Sequence, residues 1–168
     1  GGSWDNNGTF THGSGSITFD GAGTVSISAG TSWFNNATIN GAGTLTVTEH
    51  ATSSGTFSLS SVGSFTLSSG QTLAVGGVFT NGVGGGSTTW TGSTLRLYSA
   101  TNYQINAKTI ADAYETISVA GNTDIRMWNS SAVTYTVDAT GSLYSQDHND
   151  IAGDLYIYGN YPGNGSTD

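Results

Sequence analysis

The hexapeptide Thr123–Trp128, TDIRMW, has a counterpart thirty residues earlier in Thr94–Tyr98, TLRLY, and another thirty residues later in Asp154–Tyr158, DLYIY. Aligned, the three copies place Leu95/Leu97, Ile125/Met127 and Leu155/Ile157 in one apolar column, which Phe65/Leu67 continues upstream. A second column holds Leu73/Val75, Tyr103/Ile105 and Val133/Tyr135, and at a spacing of 28 it reaches back through Leu45/Val47 to Ile17/Phe19. Both columns alternate with period 2, the mark of a strand with one face buried. A fixed period of 20 to 50 residues marks stacked repeats. The sequence therefore predicts an all-β, right-handed parallel β-helix of five to six coils, each of 28 to 30 residues, forming a rod roughly 25 to 30 Å long at the spacing between strands. A β-sandwich is the alternative, and antiparallel pairing would mark it.

Composition agrees with a repeat of short strands. The 168 residues include 26 glycines, one proline and 8% charged residues, with Ser, Thr and Asn throughout. From Thr24 to Thr80 the strands read TVSIS, ATIN, TLTVT, TFSLS, SFTLS, TLAV and VFT, separated by Gly and Asn. These two residues tolerate positive φ and suit the corners of a coil, while Ser and Thr cover the outward face. A third strand per coil is weaker, with Val25/Ile27, Phe57/Leu59 and Ile117/Val119 as its members and a poor copy near Trp90.

The chain reads as one solenoid segment, residues 1–168, with a change of repeat type near 82–92 (GVGGGSTTWTG). All six Phe precede that stretch, and all eight Tyr and all three cations follow it. Lys108–Glu115, KTIADAYE, is the only helix-tolerant segment and is expected to form a lateral loop or single turn. GNYPGNGSTD closes the sequence as an exit loop or a connection to a further domain. A start at Gly1 without Met suggests a processed or excised piece.

The opening pattern, with Trp4, Asn6, Gly8, Phe10, Gly13, Gly15, Ile17, Phe19 and Gly21 at punctuated spacings, resembles the β-strand repeats of very large bacterial and archaeal surface proteins, relatives of autotransporter passengers and filamentous adhesins. The likeness covers residues 1–80 and extends loosely over the rest. It implies a non-enzymatic spacer, stalk or adhesin segment of an extracellular cell-surface protein, whose partners are flanking repeats, further copies end to end, or surface glycans. It implies no catalytic residues.

Charge excludes other classes. The net charge is −8, from 11 acids against Arg96, Lys108 and Arg126. Three cations cannot neutralise a phosphate backbone or hold an anionic membrane surface. No apolar run is long enough for a transmembrane helix. The absence of cysteine rules out disulfides and thiolate-held metals. Asn7, Asn36, Asn129 and Asn164 stand in glycosylation sequons.

Among candidate sites, the residues alternating with the apolar pairs of the opening repeat are Thr94/Arg96/Tyr98, Asp124/Arg126/Trp128 and Asp154/Tyr156/Tyr158. At thirty residues per coil these would stack as columns, Tyr98–Trp128–Tyr158 among them. Such a column is either a ladder that strengthens the sheet or an aromatic platform for a sugar chain, with Arg96, Arg126, Asp124 and Asp154 orienting hydroxyls. Asp147, Asn149 and Asp150 gather hard oxygen donors that could hold calcium, or form a solvated acidic turn. Asn122–Asp124 resembles the first acidic motif of polygalacturonases, which are β-helix enzymes, but the further carboxylate, Gly-His-Gly and Arg-x-Lys motifs are missing. An enzyme acting on polysaccharide is therefore the third reading, after spacer and carbohydrate-binding module. Thr44–Thr48, TLTVT, is the one clear stretch of the kind found on ice-binding solenoids.

Overall fold

The computed structural model describes residues 3–6, 8–22, 25–28, 34–83, 85–98, 103–106, 112–120, 124–128, 130–137, 142–145, 150–151 and 155–157. The chain opens with β1 (Trp4–Asp5), β2 (Ser16–Phe19) and β3 (Val25–Ser28). Three complete three-sided turns follow: β4 (Asn36–Asn40), β5 (Thr44–Val47) and β6 (Ala51–Ser53); β7 (Phe57–Ser61), β8 (Ser64–Leu67) and β9 (Thr72–Val75); then β10 (Phe79–Asn81), β11 (Thr88–Thr89) and β12 (Thr94–Leu97). Sheet I has the order β1-β3-β5-β8-β11, sheet II is β2-β4-β7-β10, and sheet III begins β6-β9-β12. Every strand pairing among the described residues is parallel, so the protein is an all-β solenoid and the β-sandwich is excluded.

Coil length departs from the expectation. Ala37 pairs with Phe57 and Leu45 with Phe65, twenty residues apart, while Leu73 pairs with Leu95 at twenty-two. Leu97 lies between Val75 and Val119, not between Leu67 and Met127. From β5 to β12 the 28-to-30-residue columns are a four-strand interval, as from Leu45 to Leu73 and from Phe65 to Leu95, whereas one turn uses three strands. Thus Leu45 and Leu73 match in sequence but belong to sheets I and III. The proposed third-strand set scatters likewise: Val25/Ile27 lie on sheet I, Phe57/Leu59 on sheet II and Ile117/Val119 on sheet III.

Beyond β12 the cross-section changes. β13 (Tyr103–Asn106), β15 (Asp124–Trp128) and β17 (Ser142–Ser145) form sheet IV, and β13 lies against β10. β14 (Asp112–Val119) and β16 (Ser130–Val137), eight residues each, extend sheet III. Their ladder passes from Tyr114↔Ala132 to Thr116↔Thr134. β18 (Asp150–Ile151) and β19 (Leu155–Ile157) pair separately with the two halves of β16. Tyr114, in the first half of β14, packs on Trp90 just after β11, with ring centroids 4.9 Å apart. The long strands thereby carry the chain round the corner that the earlier coils turn with separate strands. Asp112–Glu115 are consequently strand, not the lateral loop expected of Lys108–Glu115, whose first four residues lie outside the described set. From β6 to the β18/β19 level, sheet III stands about 24 Å tall.

Alternation creates the core. On sheet III the inward column Ala51–Leu73–Leu95–Ile117 is buried, as is its neighbour Ser53–Val75–Leu97–Val119. Fully burying each Leu, Phe or Val contributes about 1.5–3 kcal/mol. Ser53 is the polar exception, and its hydroxyl is 2.9 Å from two acceptors, the carbonyls of Asn35 and Thr56. Aromatic rings fill the wide middle. Phe57 stacks on Phe79 at 6.4 Å and meets Phe65 edge-on at 6.3 Å, and Trp90 bridges Phe65, Phe79 and Tyr114.

Side-chain amides tie successive coils. Asn36 Oδ1 accepts the Thr56 N–H at 2.8 Å while its Nδ2 donates to Ser16 Oγ at 3.4 Å. This sequon asparagine is therefore spent on the ladder; Asn7, Asn129 and Asn164 lie outside the described residues. Corners need glycine where backbones touch. A Cβ on Gly77 would stand 2.7 Å from the Gly55 carbonyl, and the Gly77 N–H donates to that oxygen at 2.9 Å.

Candidate functional site

The outward face of sheet III carries a groove of about 690 Å³. Its floor follows from the 22-residue register: Thr52 on β6, Ala74 on β9 and Arg96 on β12 occupy successive rungs of one outward column. Alanine between longer side chains leaves a hollow there. Thr72 lines the next column, in register with Thr94 and then Thr116. Three rungs set Thr52 and Arg96 about 10 Å apart along the axis.

The walls come from turns. His50, just ahead of β6, accepts the Thr72 N–H at Nδ1, 2.9 Å away. His12, in the loop between β1 and β2, accepts the Ser14 N–H at Nδ1, 3.0 Å away. Acceptance at Nδ1 places the ring proton on Nε2, so each imidazole offers an N–H donor from its far side. Ser54 and Tyr98 complete the lining.

Tyr98 follows β12 and lies across Gly76. A Cβ on that glycine would come within 2.9 Å of the Tyr98 Cζ and hydroxyl, so only glycine lets the ring settle over the β9 end of the sheet. Burial raises the Tyr98 phenol above its ordinary range, and the Arg96 guanidinium partly offsets this by favouring the phenolate. The phenol stays protonated and can donate. None of the described residues lining the groove is acidic, in a chain of 11 acids and three Lys or Arg.

The structure brings together Arg96 and Tyr98 from the residues picked out in the sequence, and it sets Asp124, Arg126 and Trp128 on a different sheet. Trp128 ends β15 on sheet IV opposite Asn106, whereas Tyr98 follows β12 of sheet III, so Tyr98 and Trp128 do not share a column; Tyr158 lies outside the described residues. Arg126 is flanked by Gln104 and Tyr144, not by Arg96, and Asp124 neighbours Ser142. Tyr156 is the register partner of Thr136 on sheet III, three rungs beyond Arg96. The physical reason is the length of a turn: register partners here lie 18 to 22 positions apart, so residues thirty apart fall on different faces. Asp154, Asp147 and Asn149 lie outside the described residues, while Asp150 opens β18 opposite Ser131. Among the described residues no group of three His, Asp or Glu is placed to hold a metal ion, and no helix is long and apolar enough to cross a membrane.

Sequence reasoning missed His12, His50, Thr52, Ser54, Thr72 and Ala74. The signal for two of them was present: Thr52, Ala74 and Arg96 recur at 22 residues, and reading the chain at that period aligns them. His12 carries no such signal, because its loop joins the face only through folding. No protein-family model matches this chain, and neither a curated protein nor a solved structure shows significant similarity to it.

Proposed function

We propose that this chain is a non-enzymatic structural segment, a spacer, stalk or adhesin piece of a larger extracellular surface protein, extended at its ends by flanking repeats or by further copies of itself. The observation that carries this reading is the stack of three-sided coils with parallel ladders on every face. In such a stack each coil contacts only its neighbours, and length is added by inserting coils without redesigning the rest. Among the described residues β1 and β2 end the strand orders of sheets I and II, the side on which a preceding coil would add its strands. The likeness of residues 1–80 to surface-protein repeats supports the same location.

Removing one coil tests the reading. Ala37 and Phe57 occupy equivalent positions, so deleting residues 37–56 excises one turn and rejoins the chain in register. Nitroxides on Thr18→Cys and Thr80→Cys sit three rungs apart in one outward column of sheet II, about 14 Å, and draw in to about 10 Å in the shortened chain. A cooperatively folding variant with stronger dipolar broadening in continuous-wave electron paramagnetic resonance is the expected result. A variant that unfolds, or whose labels keep their separation, refutes the coil as a unit of length.

A further inference from the structure

We propose that the groove on sheet III binds an acidic oligosaccharide, a sugar chain bearing uronic-acid carboxylates. This goes beyond the mechanical reading and uses residues that reading leaves idle.

The chemistry of the groove points to that ligand. Its lining is rich in donors: the guanidinium of Arg96, the Nε2–H groups of His12 and His50, and the hydroxyls of Thr52 and Thr72. A donor-rich surface selects an acceptor-rich ligand. Its described lining residues also include no carboxylate although the chain carries a net charge of −8, which makes the groove a local attractive region in a field that repels anions elsewhere. Arg96 is exposed on its strand, and a planar guanidinium matches a carboxylate through two parallel N–H···O bonds.

Shape and surface then separate a sugar from other anions. The Tyr98 ring, laid over Gly76, supplies an apolar face beside the guanidinium, the arrangement that takes a pyranose ring on its C–H side. Thr52 and Thr72, one rung and one column apart, offer hydroxyls able to donate to and accept from ring hydroxyls. The floor runs across successive rungs along the axis, so it accommodates an extended chain better than a single compact ion.

The test titrates the full chain with tetragalacturonate and, separately, with a glucuronate tetrasaccharide by isothermal calorimetry. Saturable one-to-one binding of at least one is expected, weakening as salt rises. The fully methyl-esterified form of the bound sugar, which lacks the charge, is expected to bind at least ten-fold more weakly. Arg96→Gln and Tyr98→Leu are each expected to weaken binding at least ten-fold, with Arg96→Lys between Arg96→Gln and the parent, because it keeps the charge and loses the fork. Arg96 is exposed, so its variants keep the fold, and circular dichroism verifies this. No saturable heat with either tetrasaccharide, equal affinity for the ester, affinity unchanged in Arg96→Gln, or equal binding of tetraglutamate would each overturn the proposal.

Discussion

Which strands neighbour one another can be decided by cross-linking, because the chain has no cysteine to interfere. Thr46 on β5 and Thr66 on β8 are register partners on the outward side of sheet I, and both are only partly buried. Parallel neighbours lie about 4.8 Å apart, inside the Cα–Cα range of roughly 4.4–6.8 Å that a disulfide spans. Thr46→Cys/Thr66→Cys is therefore expected to oxidise without distorting the sheet. The closed loop is twenty residues long. Loop-closure entropy for that length gives about 3 kcal/mol of stabilisation of the oxidised over the reduced form. Comparing urea denaturation of the same variant with and without reductant cancels the cost of the two substitutions. The matched control is Thr66→Cys/Arg96→Cys, thirty residues apart, which the columns read from sequence would make neighbours. In the structure these residues stand on sheets I and III, so the control is expected to stay reduced while folded. Oxidation of the control, or failure of the twenty-residue pair to close, would refute the three-strand turn.

Two more outcomes follow from the core and from the groove. Phe57→Ala removes a ring that is 1% exposed and packed against Phe65 and Phe79, and should cost about 3–5 kcal/mol in chemical denaturation. Ser58→Ala, one position along on the outward face, should change stability by no more than about 0.5 kcal/mol; similar losses at the two positions would contradict the inward–outward assignment. Because burial holds the Tyr98 phenol above its ordinary value of 10.0, the unfolded chain gives up this proton first as pH rises. Its stabilising contribution is present below that value and is lost as pH climbs through the raised native value. The difference in absorbance titration between the parent and Tyr98→Phe isolates this group among eight tyrosines. Arg96→Gln should move the titration higher still, since the guanidinium lowers it; a downward movement would show that the two side chains do not interact as described.

The all-β class and the parallel solenoid were legible in the amino-acid sequence because their signal is local. Each short strand carries its own alternation of apolar and small polar residues, and recurrence of such strands at a fixed period favours stacking. Arg96 and Tyr98 were legible for the same reason, as residues alternating with a buried pair. The length of a turn was not, because nearly every strand carries the same alternation and the sequence correlates with itself at any whole number of strands. Ala37, Leu45, Ala51, Phe57, Phe65 and Leu73 follow one another at six or eight residues, so three strands make 20 or 22 and four make 28. Closure after three is decided in three dimensions, by corners such as Gly55 over Gly77 and by the Asn36 clamp, which bring residue 37 beneath 57 and leave 65 on another face. That choice also decided the groove, since only a 22-residue turn sets Thr52, Ala74 and Arg96 in one column and lets Gly76 receive the Tyr98 ring.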